Sequence, residues 1–266
     1  MIDPQTQAEL RAKFNPDGSD LRKMQLRMLE MLKFSDKICK ENNIEYWIDS
    51  GTLLGAARHG GFIPWDDDVD ICMTTKNLRK FEKIMRKCHS DEFVIQNHKT
   101  DKGYFGFWSV LRDLKSEYIQ DDGLHERRGY KGLQIDIFPV ETKINYFLFK
   151  VSKTLQYRLI DRRLRSNKKA NVTMGFIFLK YILYPFFKLL SLGINHEYYT
   201  MSYGCSFATK RYLKNIYPLK HLQFEGTKLY APCNVNSYLK DIYGNWEEIP
   251  SINNIHTHNV QIRFIQ

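Results

Sequence analysis

Apolar residues recur at three-to-four spacing through Leu21, Met24, Met28, Met31/Leu32 and Ile38, with Ser19 or Asp20 ahead of them. That pattern predicts a capped amphipathic helix running to about Lys40. Residues 44–49 (IEYWID) predict a strand ending at a Gly51-Thr52 turn, and 52–58 a short helix. Val69 to Met73 predicts a strand carrying Asp70. Thr75 then caps a second amphipathic helix, with Leu78, Phe81, Met85 and Cys88 along its face. Strands are predicted at 93–97, 104–112, 116–120 and 133–140. From Asn145 to about Ile194 the period becomes helical, with breaks expected near Pro185 and Gly193. A last short helix over 234–244 stops at Gly244. The sum is an α+β protein: a core at 1–144, a helical insertion at 145–199, and a C-terminal helical part, 200–266, packing on the core.

Composition sharpens this picture. The 266 residues are 43% hydrophobic and 14% aromatic, enough for a substantial core. Five scattered cysteines without a CxxC pair argue against a disulfide framework or structural zinc site and for a reducing compartment. The polar start MIDPQTQAEL predicts no signal peptide. Charge is uneven: between Asn145 and Ile194 ten Lys/Arg face one acid, Asp161, in a net +10 chain. The same segment holds the apolar run MGFIFLKYILYPFFKLLSLGI. It is about long enough to span a bilayer, but Lys180 and Lys188 interrupt it and Pro185 should kink it. The expectation is therefore a peripheral protein on the cytoplasmic face of the inner membrane. The basic cluster Arg158, Arg162, Arg163, Arg165, Lys168 and Lys169 would meet an anionic leaflet, and an aromatic belt of Tyr181, Tyr184, Phe186 and Phe187 suits that depth. The plainer alternative is a helical hairpin packed on the core. No nucleic-acid partner is expected despite a pI near 9.2, because the charge sits in an apolar segment.

The chemistry concentrates in DSGTLLGAARHGGFIPWDDDVDICM, residues 49–73. Asp66, Asp67, Asp68 and Asp70 crowd into five positions, where each disfavours ionisation of the next. A hard divalent cation such as Mg²⁺ relieves that cost and ordinarily bridges carboxylates and substrate phosphates. Asp68 and Asp70 alternate, so on a strand they share one face. Asp136, in Ile135-Asp136-Ile137, joins them if its strand lies beside that of Asp70. The Gly51-Thr52 turn can hold a phosphate at a helix N-terminus. Arg58 and His59 are either phosphate ligands or helix-cap residues. Arg112 either faces donor phosphates or forms a surface ion pair. Phe62 and Trp65 read as packing under the motif, the remaining histidines, including His256 and His258, as surface residues, and the cysteines as small core side chains. A DDD cluster by itself is ordinarily a solvated turn; its setting between GT…R and a downstream IDIF argues otherwise.

This set resembles the nucleotidyltransferase superfamily, with its Gly-rich turn, Asp-x-Asp strand and third Asp on a later strand. GTLLGAARHGGFIPWDDDVDI, GLQIDIFPVE and YLKDIYGNW more closely resemble the LicD/fukutin-related family of phosphotransferases, over roughly 20–140 and 200–250. The resemblance implies a nucleotidyltransferase-like mixed sheet flanked by helices. It also implies transfer of a phospho-alcohol, phosphocholine or a polyol phosphate such as ribitol phosphate, from a CDP-linked donor to a cell-surface or lipid-linked glycan. In that scheme Asp68, Asp70 and Asp136 hold Mg²⁺ or Mn²⁺. Asp136 or Asp66 deprotonates the acceptor, and Gly51, Thr52, Arg58, His59 and Arg112 bind the donor. The rival readings are a true nucleotidyltransferase that releases pyrophosphate from a small hydroxylated substrate, and a non-catalytic membrane-bound partner in glycan assembly.

Overall fold

Two helices open the chain. A computed structural model describes residues 2–119, 128–165, 169–205, 207–251, 255 and 261–265. Helix α1 (Pro4–Phe14) starts at Asp3, whose carboxylate accepts from the Thr6 N–H. The pattern of apolar residues did not announce it. Helix α2 (Asp20–Glu41) has Ser19 as its cap and buries Met24, Met28, Met31 and Leu32, as its spacing predicts.

The core sheet follows from short, largely apolar strands: β1 (Trp47–Ile48), β2 (Asp70–Thr74), β3 (Phe93–Gln96), β4 (Ser109–Asp113) and β6 (Gln134–Glu141). Between them lie α3 (Ser50–His59), α4 (Thr75–Met85) and β5 (Ser116–Ile119). The strand order is β1-β2-β6-β4-β3, with β2 and β6 parallel and the other pairs antiparallel. The central parallel pair is nearly continuous in buried apolar residues, Ile71, Cys72 and Met73 beside Ile135, Ile137 and Phe138, as parallel strands covered on both faces require. The fold is a mixed α+β architecture. Thr74 rather than Thr75 caps α4, accepting from the Asn77 N–H.

The segment after β6 is helical as expected: α5 (Tyr146–Gln156), a π-helical turn (Tyr157–Asp161), α6 (Arg162–Arg165), α7 (Lys169–Phe178), a second π turn (Leu179–Leu183) and α8 (Tyr184–Leu190). The break expected at Pro185 is absent. Pro185 stands in the first turn of α8, directly after the π turn, where a missing N–H is tolerated. The insertion has its own apolar cluster of Ile144, Phe149, Ile160, Val172, Phe176, Leu179, Tyr184 and Phe187. This cluster also explains why the strand expected over 104–112 starts only at Ser109. Phe105 and Phe107 leave the sheet to pack on Phe176, with ring centroids 5.6 and 4.8 Å apart.

The chain after residue 197, expected to be mainly helical, is mixed. It contains β7 (Tyr198–Met201), β8 (Arg211–Tyr212), α9 (Leu213–Ile216), β9 (Lys220–Phe224), β10 (Thr227–Ala231), α10 (Val235–Tyr243) and β11 (Gln261–Phe264). β7 extends the main sheet along β6, β9 and β10 form a hairpin, and β11 pairs with β5. Only α10 carries a clear helical period, and its stop at Gly244 is as expected. Gln120, Lys168, His256 and His258 lie outside the described residues.

Candidate active site

The site is built where α3 begins and where β2 and β6 run side by side. Asp70 and Asp136 are register partners on these parallel strands, so their side chains emerge on one face. Asp68 lies in the loop two residues ahead of β2 rather than on a strand with Asp70, and is exposed, whereas Asp66, Asp70 and Asp136 are half-buried. At Gly51 an added Cβ would come within 2.8 Å of Asp66 Oδ2 and 3.7 Å of Asp68 Oδ1. Glycine at that position lets two carboxylates approach the start of α3. A second close approach is at Gly55, where a Cβ would meet the Gly61 carbonyl at 2.4 Å; it lets the 60–69 loop fold back over the helix.

Crowding shows in the proton affinities. Burial, then Asp68 and Asp67, raise Asp66 well above the usual carboxylate range. Burial, then Asp68, Asp136, Asp49 and Asp66, do the same to Asp70. Burial also raises Asp136, against the Trp108 indole N–H (2.8 Å), Arg112 and the Gln134 amide, which oppose it. Gln134 Nε2 reaches both Asp136 oxygens, at 3.2 and 3.1 Å. The cluster is thus all carboxylate oxygen, which is the donor chemistry that Mg²⁺ or Mn²⁺ takes. Among the described residues no three such side chains stand at ligating spacing as folded. The site is a charge-crowded cluster rather than a closed cage.

The other candidate binding residues go to different partners. Thr52 is buried, and its hydroxyl accepts from the Asp70 N–H at 2.8 Å, fastening α3 to β2. Arg58 is buried and donates to the Trp246 and Glu248 carbonyls at 3.0 and 2.8 Å, holding the C-terminal loop against α3. His59 contacts Gln7 Oε1 at 2.7 Å; burial and the adjacent Arg58 bring its pKa down to about 3, so it is neutral at pH 7. Arg112 projects from β4 on the Asp136 side of the sheet, where its Nε donates to Gln96 and an NH to the Gly132 carbonyl. Burial lowers it to about 10. Phe62 is buried against Phe224, and Trp65 packs edge-on to Phe14 and His59.

Residue-type reasoning missed the support beneath the cluster. Asp49, the fully buried residue preceding α3, receives Arg211 Nη2 at 2.6 Å, the Tyr238 hydroxyl at 2.6 Å and Cys72 Sγ at 3.1 Å. Burial pushes Asp49 up, but Arg211 and these hydrogen bonds bring it below the usual value. Tyr238 also accepts from the Trp47 indole at 2.9 Å. Tyr243, one turn further along α10, is raised by burial and then by Asp49, Asp70, Asp66 and Asp68, which puts it beside the carboxylates. Both tyrosines come from YLKDIYGNW, so that tail motif forms one wall of the site. Trp108, in the aromatic run before β4, supplies the donor to Asp136.

Comparison with known proteins bears on this arrangement. Residues 43–169 match the family described as LicD/FKTN/FKRP, nucleotidyltransferase domain. This stretch is a LicD-family domain. The match contains α3, the carboxylate loop, β2 and β6. Lipopolysaccharide cholinephosphotransferase LicD of Haemophilus influenzae is 26% identical over 92% of this chain and 98% of its own length. Ribitol 5-phosphate transferase FKRP of Mus musculus is 36% identical over 36% of this chain and 18% of its own. Mannosyltransferase regulator 4 of Saccharomyces cerevisiae is 37% identical over 35% of this chain and 8% of its own. The chain thus spans nearly the whole of the bacterial relative and a small part of the two eukaryotic ones.

Proposed function

We propose that this chain transfers a phospho-alcohol group, phosphocholine or a polyol phosphate, from a CDP-linked donor to a hydroxyl of a lipopolysaccharide or other cell-surface glycan. The observation that carries the reading is the in-register pair Asp70 and Asp136, crowded by Asp66 and Asp68 at the start of α3. The near full-length likeness to a cholinephosphotransferase and the local likeness to a ribitol-phosphate transferase support the phospho-alcohol class.

In this reading Asp68, Asp70 and Asp136 would hold a divalent cation. Mg²⁺ or Mn²⁺ there would supply charge neutralisation for the donor diphosphate and the transferred phosphoryl. Trp108 and Gln134 fix the Asp136 carboxylate, as partners behind a metal ligand do. We assign the general base to Asp66, whose carboxylate stands with that of Asp68 against the start of α3. The N-terminus of α3 would hold donor phosphate oxygen, with Gly51 leaving room beside the Asp66 carboxylate. The test is product analysis. CDP-choline, CDP-ribitol and other CDP-alcohols are supplied in turn with Mg²⁺ or Mn²⁺ and a glycan acceptor, and CMP is measured. CMP release with one donor, abolished by EDTA, is the expected result. Pyrophosphate release from a nucleoside triphosphate favours the nucleotidyltransferase reading. Inactivity with every donor favours a regulatory partner, the role printed for the yeast relative.

The same reading makes the enzyme peripheral to the cytoplasmic face of the membrane. Val172–Leu190 is long and apolar enough to cross a bilayer by length and composition. Its outer side exposes Met174, Ile177, Phe178, Tyr181, Ile182, Phe186, Leu189 and Leu190. Lys180 and Lys188 turn inward, Lys188 to Glu141 at 2.5 Å, so neither interrupts that apolar side. One apolar side and one packed side suit a helix lying in the interface. Flotation with anionic vesicles at low salt tests it; a protein that stays in the soluble fraction has an ordinary subdomain there.

A further inference from the structure

A cavity of about 390 Å³ lies where the insertion meets the sheet, away from the Gly51 turn. Its volume falls inside the range of roughly 300–1,000 Å³ typical of small-molecule sites. Phe107, Trp108, Tyr181 and Tyr184 supply aromatic walls, and Ser109 and Ser202 supply hydroxyls. Its charges do not balance. Lys188 is taken by Glu141, and Glu82 accepts from Ser109 Oγ at 2.6 Å and Asn97 Nδ2 at 3.1 Å. Lys180, Lys99 and Arg79 also line the cavity, and none has an ion pair among the described residues. Lys180 is half-buried with its ammonium 5.0 Å from the Phe176 ring centroid, and burial brings its pKa down to about 8. Glu82, the acid in the lining, acts on Lys180 without an ion pair to it. It is outnumbered there by Lys180, Lys99 and Arg79, so the cavity keeps a positive excess for an incoming anion.

We propose that this cavity binds a saccharide carrying a phosphate or carboxylate, with the anionic group on Lys180 and the sugar ring against the aromatic walls. Flat aromatic faces pack on apolar ring surface while the hydroxyl and cation lining orients polar groups. Trp108 links the cavity to the carboxylates, because its ring lines the cavity while its indole N–H donates to Asp136. If the transferase reading holds, the occupant is the glycan acceptor; that one assignment rests on the reading, and the binding itself does not.

The test is calorimetric titration of the full chain, without donor or metal, using glucose 6-phosphate, glucose and inorganic phosphate as probes. Saturable binding of the sugar phosphate is expected, with glucose and phosphate each about tenfold weaker or worse, since each keeps only part of the recognition. Lys180→Met should weaken it about tenfold, the scale of one lost charge-assisted hydrogen bond. Lys99→Gln, on the exposed rim, should weaken it about threefold and guards against misfolding of the first variant. Asp70→Asn should leave the affinity unchanged. Absence of saturable binding, equal affinity for phosphate alone, or full affinity in both lysine variants overturns the proposal. Loss of binding in Asp70→Asn would move the sugar phosphate to the carboxylate site and also overturn it. A protein that binds the sugar phosphate but releases no CMP from any donor keeps this site and loses only the transferase reading.

Discussion

The sheet and the helical insertion break the ordinary rule of burial in opposite directions. The sheet withdraws Asp66, Asp70 and Asp136 partly from water and lets them crowd. The insertion leaves large apolar side chains in water: Phe147 is 72% exposed, Met174 71% and Ile182 61%. Acids usually face solvent and contiguous apolar patches usually do not. Each inversion costs free energy in the free chain, and under the proposed function a cation would relieve the first and a membrane surface the second. The two regions also differ in fastening. The carboxylates rest on a buried ion pair, Asp49 with Arg211, shared with Tyr238 and Cys72. Among the described residues the insertion is tied on by aromatic contacts, by hydrogen bonds of Asn145 and Ser191 to the Tyr203 hydroxyl, and by the partly exposed pair Lys188 with Glu141. A rigid base under one site and a lightly tethered helix beside it fit a reaction centre next to a docking surface.

The comparison breaks most sharply at the carboxylates. Asp68→Asn or Asp70→Asn should lower turnover about 10³-fold or more, the scale of one lost ligand in a metal-dependent site. The fold should survive, and for Asp70→Asn the metal-free melting temperature should hold or rise, because crowding eases. Asp136→Ala should be about as damaging, and combining it with Asp70→Asn should add little, since the cluster acts as a unit. Steady-state kinetics and melting curves check both; more than about a tenth of wild-type activity in Asp68→Asn would remove the metal assignment.

Next in size is the base of the sheet. Arg211→Met strands the buried Asp49 charge and should cost about 3–5 kcal/mol in urea unfolding. A loss below about 1 kcal/mol would mean that the ion pair is not what holds the C-terminal part to α3. On the insertion, replacing Met174, Ile182 and Leu189 together by serine should leave folding stability nearly unchanged and weaken vesicle binding by about 1 kcal/mol or more per residue. Replacing the six basic residues from Arg158 to Lys169 by glutamine should likewise release protein from anionic vesicles. Equal flotation of these variants and wild type would leave the exposed row without a role at membranes.

The smallest effect concerns the tether. Burial pushes Glu141 up, but Lys188 and the Ser202 and Thr75 hydroxyls bring it below its ordinary 4.5. A depressed carboxylate adds stability above its unfolded pKa and loses it as pH falls through the lower folded value. Acidification below about pH 4.5 should therefore loosen the insertion in wild type, and less so in Glu141→Gln, where the tether is already weakened by about 1–2 kcal/mol at neutral pH. Protease sensitivity of the 145–194 segment against pH reads it directly.

Local signals carried much of this protein. The three-to-four spacing and Ser19 define α2, and Gly244 ends α10, because periodicity and capping depend on neighbours a few residues away. The Asp-rich loop and the apolar-flanked Asp136 were legible as chemistry for the same reason. Tertiary structure alone decided the rest. Asp49 meets Arg211 across 162 residues of chain, and nothing in either local sequence names the other. Trp108 reads as one more aromatic until its indole is found on Asp136. Lys180 and Lys188 read as interruptions of an apolar helix, yet packing turns both into a cavity, and a π turn ahead of α8 absorbs the kink that Pro185 predicts. Burial and pairing are properties of which surfaces meet, and a chain's local pattern specifies those surfaces without saying which of them will face each other.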